Sequence, residues 1–270
     1  MFSILILTKD EVANLPACLD SVAWCDDIVV LDSFSEDETC ALATKGGARV
    51  FQRKFDDFGA QRNYALDGIP FRHPWVFHLD ADERFNEDLR HECQRVIALD
   101  ERSGYFVPNR IIFLGRWIRW SSQYPYPQVR LLKVGEVRFV KSGHGQAETD
   151  VRRGLGNIDI PYDHFNFSKG IADWVSKHNR YSSEEARGAL LLRNAPLDWS
   201  GFFSGDPMRR KRVLKCLHAR LPGRWVFKFL YLYFFKGGFL DGYPGFIYCV
   251  MQGFYDFLIA AKIKEAELAR

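Results

Sequence analysis

No phosphate-cradling glycine loop occurs in this chain. Neither G-x-G-x-x-G nor G-x-x-x-x-G-K-[ST] is present, which argues against a classical dinucleotide or P-loop site. Any phosphate bound here would need a metal and basic side chains, and Lys9 and Arg62 are the candidates by position. Paired cysteines are missing as well. The six cysteines, at 18, 25, 40, 93, 216 and 249, form no C-x-x-C pair. That pattern suits buried thiols in a reducing compartment, not a disulfide framework or a zinc site. No internal repeat or low-complexity linker interrupts the 270 residues, a length that holds one large domain plus an appendage. The chain opens directly on an apolar strand, so no signal peptide is expected and a cytoplasmic location follows.

What is present begins with the run Trp75-Val76-Phe77-His78-Leu79-Asp80-Ala81-Asp82-Glu83. Apolar residues of strand type lead straight into two aspartates spaced by one small residue. Alternation along an extended chain predicts that Asp80 and Asp82 point to the same side. Two adjacent carboxylates repel each other unless a cation sits between them. Oxygen sites of this kind suit Mg²⁺ or Mn²⁺, which share their remaining positions with substrate phosphates. The plainer reading is an acidic loop at a strand end.

The surroundings favour a site. Phe2–Leu7 is a near-continuous apolar run, as in a central parallel strand, and it ends in Thr8-Lys9-Asp10-Glu11. A helical stretch follows through Leu15, Cys18, Leu19 and Val22. Asp27–Asp32 reads as a second strand, closing on Asp32-Ser33-Phe34-Ser35-Glu36-Asp37, a cluster suited to capping the next helix. Arg49–Phe51 is a third strand, before a helix around Gln61–Leu66. The alternation predicts an α/β fold with an open, mostly parallel central sheet, and ligands of such sheets bind at the carboxyl ends of the strands.

Four segments in this order and spacing resemble the inverting family 2 glycosyltransferases of GT-A fold, a Rossmann-like sheet with flanking helices. They are Leu7–Glu11, Asp32–Thr39, Gln61-Arg62-Asn63-Tyr64-Ala65 and Asp80–Glu83. The likeness is good over roughly the first 100 residues and looser to about 190. It is nearest to bacterial enzymes of lipopolysaccharide-core and surface-polysaccharide synthesis, where Asn often stands in place of Asp10. The resemblance implies that Thr8 and Glu11 border the base and ribose and that Asp32 accepts a hydrogen bond from the base. It implies Arg62 near the diphosphate, Asp80 near ribose and metal, and Asp82 as a direct ligand of Mn²⁺ or Mg²⁺. The plainer roles are a helix cap for Thr8 and Asp32 and a surface salt bridge for Arg62. Uridine is the usual base of the family.

The acceptor half is less distinct. Tyr105–Ile112 and Val129–Lys133 read as strands, and Ser142–Glu148 as a polar, glycine-flanked loop. Related enzymes commonly carry Val-His-Glu about here. This chain has His144-Gly145-Gln146, so the expected acid is either displaced to Glu148 or lost. Glu148 is therefore the candidate catalytic base, with Asp150 and Asp163 as rivals and His144, Gln146 and Asp163 as acceptor-side candidates. His164 is a further candidate for the metal shell. Ile171–Tyr181 reads as an amphipathic helix, with Trp174 as a core residue or a sugar platform.

Between Pro207 and Leu240 lie nine cations and no acid, so the rest of a chain of net charge +3 is acidic. Large aromatics interleave with them. That mixture predicts an anionic membrane surface as partner, not nucleic acid, for which no module is visible. Phe246, Ile247, Val250, Phe254, Phe257 and Leu258 form a helical stripe, while Gln252, Gly253 and Asp256 argue against a plain spanning helix. The expected organisation is a catalytic domain over 1–200 and a helical, membrane-associating region over 201–270. The expected activity is metal-dependent, inverting sugar transfer from a nucleoside diphosphate sugar to a lipid-linked glycan on the inner face of the cytoplasmic membrane. Nucleotidyl transfer to a sugar phosphate and an inactive membrane scaffold are the competing readings.

Overall fold

The computed structural model describes residues 1–122, 124–142, 145–194 and 196–269, apart from the side chains at 142, 194, 207, 208, 211, 212 and 215. The chain alternates strand and helix through β1 (Ser3–Thr8), α1 (Leu15–Ser21), β2 (Ile28–Asp32), α2 (Thr39–Lys45), β3 (Arg49–Gln52), α3 (Phe58–Gly68) and β4 (Trp75–Asp80). After these come β5 (Glu83–Arg84), α4 (Glu87–Leu99), β6 (Gly104–Val107), β7 (Asn109–Phe113), β8 (Arg116–Trp117) and β9 (Gln128–Lys133). The hairpin β10 (Arg138–Ser142) and β11 (Gly145–Thr149), then β12 (Leu155–Asn157) and β13 (Tyr162–His164), complete the strands. Local chemistry sets several helix starts. Asp57 accepts from the Ala60 N–H at 2.8 Å to cap α3, and Asn86 accepts from Leu89 at 3.0 Å to cap α4.

The central sheet has the order β12-β6-β9-β4-β1-β2-β3, and only β9 runs against its neighbours. Alternation along β1 sends Ile4 and Ile6 to one face, where Leu15, Cys18, Leu89 and Cys93 of α1 and α4 cover them. Leu5 goes to the other face, against Ala65 of α3 and Ile69 just beyond it. The mostly parallel α/β sheet expected from the sequence is therefore present.

One strand differs from expectation. Tyr105–Ile112 is broken at Pro108, which has no N–H to give a ladder. Residues before it pair in the central sheet as β6. Residues after it, as β7, join a smaller sheet of order β5-β13-β7-β8.

By its contacts the chain forms two compact units, Met1–Trp117 with Tyr124–Gly170, and Ile118–Gln123 with Ile171–Arg270. The contact boundary falls at Gly170, not near residue 200. The reason is that α5 (Gly170–Asn194) packs Ala186 and Ala189 against Ile259 and Ile263 of the last helix. The second unit continues through α6 (Trp199–Phe202), α7 (Pro207–Arg220), α8 (Arg224–Leu230), a π-helical turn at Tyr231–Phe235, a 3₁₀ turn at Gly238–Asp241 and α9 (Gly242–Leu268). Within it, the Asp241 carboxylate accepts from the N–H groups of Arg119, Trp120 and Ser121 at 3.1, 2.9 and 2.7 Å. That carboxylate is what secures the 118–123 segment to this unit.

A buried carboxylate ties the first unit together at the amino ends of its strands. Asp27, 1% exposed, accepts from the Ser3 hydroxyl at 2.6 Å, the Arg72 N–H at 2.8 Å and Arg49 Nη2 at 2.7 Å. Burial pushes its pKa up, but the bonds from Ser3, Arg72 and Arg49 outweigh that and hold it below 3.8. Its contribution is therefore complete at neutral pH and is lost as pH falls through the depressed folded-state value. Asp27→Asn is expected to destabilise the protein by about 3 kcal/mol at pH 7, because Arg49 loses its partner. The deficit relative to wild type should shrink at about pH 3, below the ordinary aspartate pKa, where the unfolded wild-type chain takes up a proton at this position. Urea unfolding of both proteins at the two pH values checks this.

Candidate active site

The strand order locates the crevice. From β1 the chain runs outward to β2 and β3, then returns to the opposite side of β1 with β4. Connections thus reverse direction between β1 and β4, and open sheets bind ligands outside the carboxyl ends at such a switch point. Thr8 pairs in register with Asp32, and Leu7 with Asp80, so all three strand ends open at one level.

On the β2 side the two loops are laced together. Asp32 is fully buried and accepts from the Thr8 hydroxyl at 2.8 Å, the Ser35 N–H at 2.8 Å and the Ser35 hydroxyl at 2.5 Å. Burial raises its pKa, but these bonds outweigh burial and leave the carboxyl below 3.8. Asp32 does not cap the next helix. That helix starts at Thr39, whose N–H donates to Asp37 at 3.0 Å. The Glu11 carboxylate meets Lys169 at 2.6 Å, and Lys169 also donates to the Asp10 carbonyl at 2.7 Å. Lys9 sits at the rim, its ammonium donating to the Phe34 carbonyl at 2.8 Å. Lys169 was absent from the sequence reading, since nothing in its local motif distinguishes it from a surface lysine.

On the β4 side lies a knot of charge. His78 and Asp80 share the face covered by α3, from which Arg62 reaches Asp80 Oδ1 at 3.2 Å and Gln146 Oε1 at 3.0 Å. Arg130 of β9, 2% exposed, bonds Asp80 Oδ2 at 3.1 Å, Glu83 Oε1 at 2.6 Å and the Tyr162 hydroxyl oxygen at 3.0 Å. Glu83 also accepts from the Asp80 N–H at 2.8 Å. Burial alone would raise Asp80, but the charges of Arg130 and Arg62 hold it well below the usual carboxylate range. Glu83 has no exposure; burial pushes it up to about 7, against the pull of Arg130. Burial, aided by the two arginines, keeps His78 neutral, and it lies 5.7 Å from the Phe139 ring. Neither His78 ring nitrogen has a partner, nor does Arg62 Nη1. Arg130 and Tyr162 were not singled out from sequence as site residues.

Strand alternation does not carry from Asp80 to Asp82. The strand stops at Asp80, and the turn at Ala81-Asp82 ends the alternation on which the expectation rested. Asp82 instead lies 3.4 Å (Oδ2 to Nε2) from His164 of β13, which pairs in register with Glu83. Burial lowers the His164 pKa, but the Asp82 charge and hydrogen bond outweigh it and raise the ring to about 9. Its Nδ1 is buried without a partner.

The acceptor-side residues are spread more widely. Gln146 and Glu148 are two apart on β11 and so share the face from which Gln146 meets Arg62. Asp163 is held by Arg110 at 2.5 Å, and Asp150 sits in a turn with φ 50°. Trp174 stacks on His178 within α5 at 3.6 Å between ring centroids. His144 lies outside the described residues.

The sequence profile of glycosyl transferase family 2 matches residues 3–151. The chain belongs to that family and is a glycosyltransferase. It is 27% identical to the lipopolysaccharide core biosynthesis glycosyltransferase LpsC of Rhizobium meliloti, over 97% of this chain and 91% of that protein. It is 23% identical to the uncharacterized glycosyltransferase RT0209 of Rickettsia typhi, over 98% of this chain and 87% of the relative. Among solved structures it resembles PcManGT, a mannosyltransferase from Pyrobaculum calidifontis in complex with GDP-Man and Mn²⁺. That match has a TM-score of 0.54 at 12% identity and covers 97% of this chain and 86% of the other, a likeness of fold.

The resemblance implies a divalent cation, and the donor chemistry at Asp82 fits one. A carboxylate and an imidazole stand 3.4 Å apart, close to the roughly 3 Å between neighbouring donors on an ion with 2.0–2.1 Å bonds. Among the described residues no three such donors converge. Protein would thus supply two ligands and substrate phosphate the others, the usual habit of Mg²⁺. The two aspartates should then fail differently. Asp82→Ala is expected to abolish most Mn²⁺-dependent nucleotide binding in calorimetry with little loss of stability. Asp80→Ala leaves Arg62 without its carboxylate and Arg130 short of one, and should lower stability by about 3 kcal/mol in urea.

Proposed function

We propose that the protein transfers a sugar, with inversion, from a nucleoside diphosphate donor to a hydroxyl of a lipid-linked glycan. The observation that carries the donor reading is the crevice between β1 and β4. It sets a ligand-capable pair, Asp82 and His164, beside two buried arginines with a donor left over. A diphosphate is the ligand that uses both. Asp82 and His164 would hold the cation, which when bound neutralises charge on the departing diphosphate. Arg62 contributes its unpaired N–H and fixed positive charge to the same end, in a site where burial strengthens both. Asp32, ionised and already bonded on both oxygens, accepts from the base. Lipopolysaccharide core is the acceptor class suggested by LpsC, with which the chain aligns almost end to end.

Glu148 is the base in this reading. Asp163 is occupied by Arg110, and Asp150 lies beyond the strand that carries Gln146. Glu148 takes the acceptor proton as the hydroxyl attacks from the face opposite the nucleotide. Glu148→Gln keeps shape and removes basicity, so kcat for sugar transfer should drop by about 10²–10⁴-fold with donor affinity nearly unchanged. A loss under tenfold assigns the step to another carboxylate. Donor hydrolysis by the wild-type protein, measured in parallel with Mn²⁺, distinguishes an active enzyme from an inert scaffold.

The second unit supports a membrane-bound acceptor. Phe227, Phe234, Phe235, Phe239, Leu240 and Tyr243 are each half or more exposed, around the π-helical turn and the start of α9. Among the described residues one helix, Gly238–Leu268, has the length and hydropathy to cross a membrane. Asp256 within it is 7% exposed and pairs with Arg224 of α8 at 3.1 Å, which suits a helix packed on its neighbour and lying in the interface. Among the described side chains of this segment, Arg209 is engaged by Asp198, Arg220 by the Arg193 carbonyl and Arg224 by Asp256. Aromatic burial therefore contributes more than charge, at roughly 1.5–3 kcal/mol per buried large side chain. Phe234→Asp with Phe235→Asp should abolish flotation with anionic liposomes at unchanged Tm, while raising salt to 0.5 M should only weaken it. Undiminished flotation of the double variant would remove the membrane from this reading.

A further inference from the structure

Among the described residues, five other than glycine have positive φ: Asp10, Phe34, Asp100, Leu114 and Asp150. Four have a local reason. Aspartate tolerates the left-handed region through its short, locally bonding side chain. Leu114 precedes Gly115 in the two-residue link between β7 and β8, where both positions need positive φ. Phe34, at φ 59°, has neither reason, and a bulky side chain there is strained. Nor does the ring gain from burial, since it is 53% exposed.

The surrounding loops hold it there. Lys9 Nζ donates to the Phe34 carbonyl at 2.8 Å, Ser35 on its other side is bonded to Asp32, and the Asp10 N–H donates to Ser35 Oγ at 2.8 Å. The Glu36 N–H donates to Asp10 Oδ1 at 2.8 Å. An apolar ring is thus presented rigidly, two residues from Asp32, at the carboxyl end of the strand beside the switch point. Of the parts of a nucleoside diphosphate sugar, the phosphates call for cations and the sugar for polar groups. The base is the part that offers a flat π face.

We propose that Phe34 is the stacking platform for the donor's nucleobase. The proposal rests on the nucleotide-sugar reading above and adds a division of labour to it. Every base has a π face, so stacking adds affinity without choosing among bases, and the choice falls to Asp32. Strain in the free protein is retained because the ring is needed in that position.

The test separates strain from stacking. Phe34→Gly and Phe34→Asn both relieve the left-handed backbone, so neither should lower Tm. Both should weaken UDP and GDP by the same factor, about tenfold, in calorimetry with the full chain. Pyrophosphate, which has no base, should bind each variant as it binds wild type, and Phe34→Tyr should retain nucleotide affinity. Leu114→Gly relieves strain elsewhere and should leave UDP affinity alone. Unchanged UDP affinity in both Phe34 variants overturns the proposal, and so does an equal weakening of pyrophosphate. A wild-type protein that binds pyrophosphate but gains nothing from the base of UDP also overturns it. Failure to bind any nucleoside diphosphate overturns the underlying donor reading itself.

Discussion

The first unit depends on one guanidinium. Arg130 enters the interior from β9, the single strand that runs against its neighbours, and touches Asp80, Glu83, the Tyr162 hydroxyl and, at 3.4 Å, the His78 carbonyl. Those groups belong to β4, β5 and β13, so one cation joins the central sheet to the smaller one. A buried charge of this kind is costly unless every lone pair around it is used. Here the cost has a structural return: the turn Ala81-Asp82 lies between two residues, Asp80 and Glu83, that Arg130 holds together. Asp82, in that turn, lies 3.4 Å from His164.

Much of this was legible in the sequence, and the physical reasons separate what was from what was not. The apolar runs of β1, β2 and β4 declare a two-sided buried sheet, since strands covered on both faces lose the polar alternation. Polar residues at their ends follow from that topology. Thr8, Asp32 and Asp80 come to one level because each ends a strand, and Arg62 reaches Asp80 from α3. The same period-two rule failed one residue past the strand, at Ala81, where the chain turns. Arg130 was hidden for a different reason: an arginine inside an apolar strand reads as a solvent-facing position, and only the pairing of β9 with β4 shows that it is buried. Lys169 arrives from more than 150 residues away from its partner Glu11. No local pattern encodes such pairings.

The second unit obeys a different constraint. Its last helix is apolar enough to resemble a membrane span, yet Asp256 faces inward and requires Arg224 from α8. The pair fixes which side of α9 meets α8, and so decides by elimination which aromatics stay outside. Basic composition, which drew attention to this region, proves the less informative signal, because internal partners take up several of its cations. Composition counts charges, whereas only the fold shows which of them remain available to a surface.

The two loops at the carboxyl ends of β1 and β2 extend the same logic to the donor side. Besides bonds within each, hydrogen bonds run between the loops, from Asp10 to Ser35, from Glu36 to Asp10 and from Glu11 to Thr39. Each loop thus serves as the other's template, and a wall of the crevice is ordered before a nucleotide enters. Ordering done during folding need not be repeated on binding, so a larger share of the contact energy is left for affinity. An unfavourable φ at Phe34 is tolerable on these terms: the bonds on either side over-determine its position, and the fold absorbs the strain.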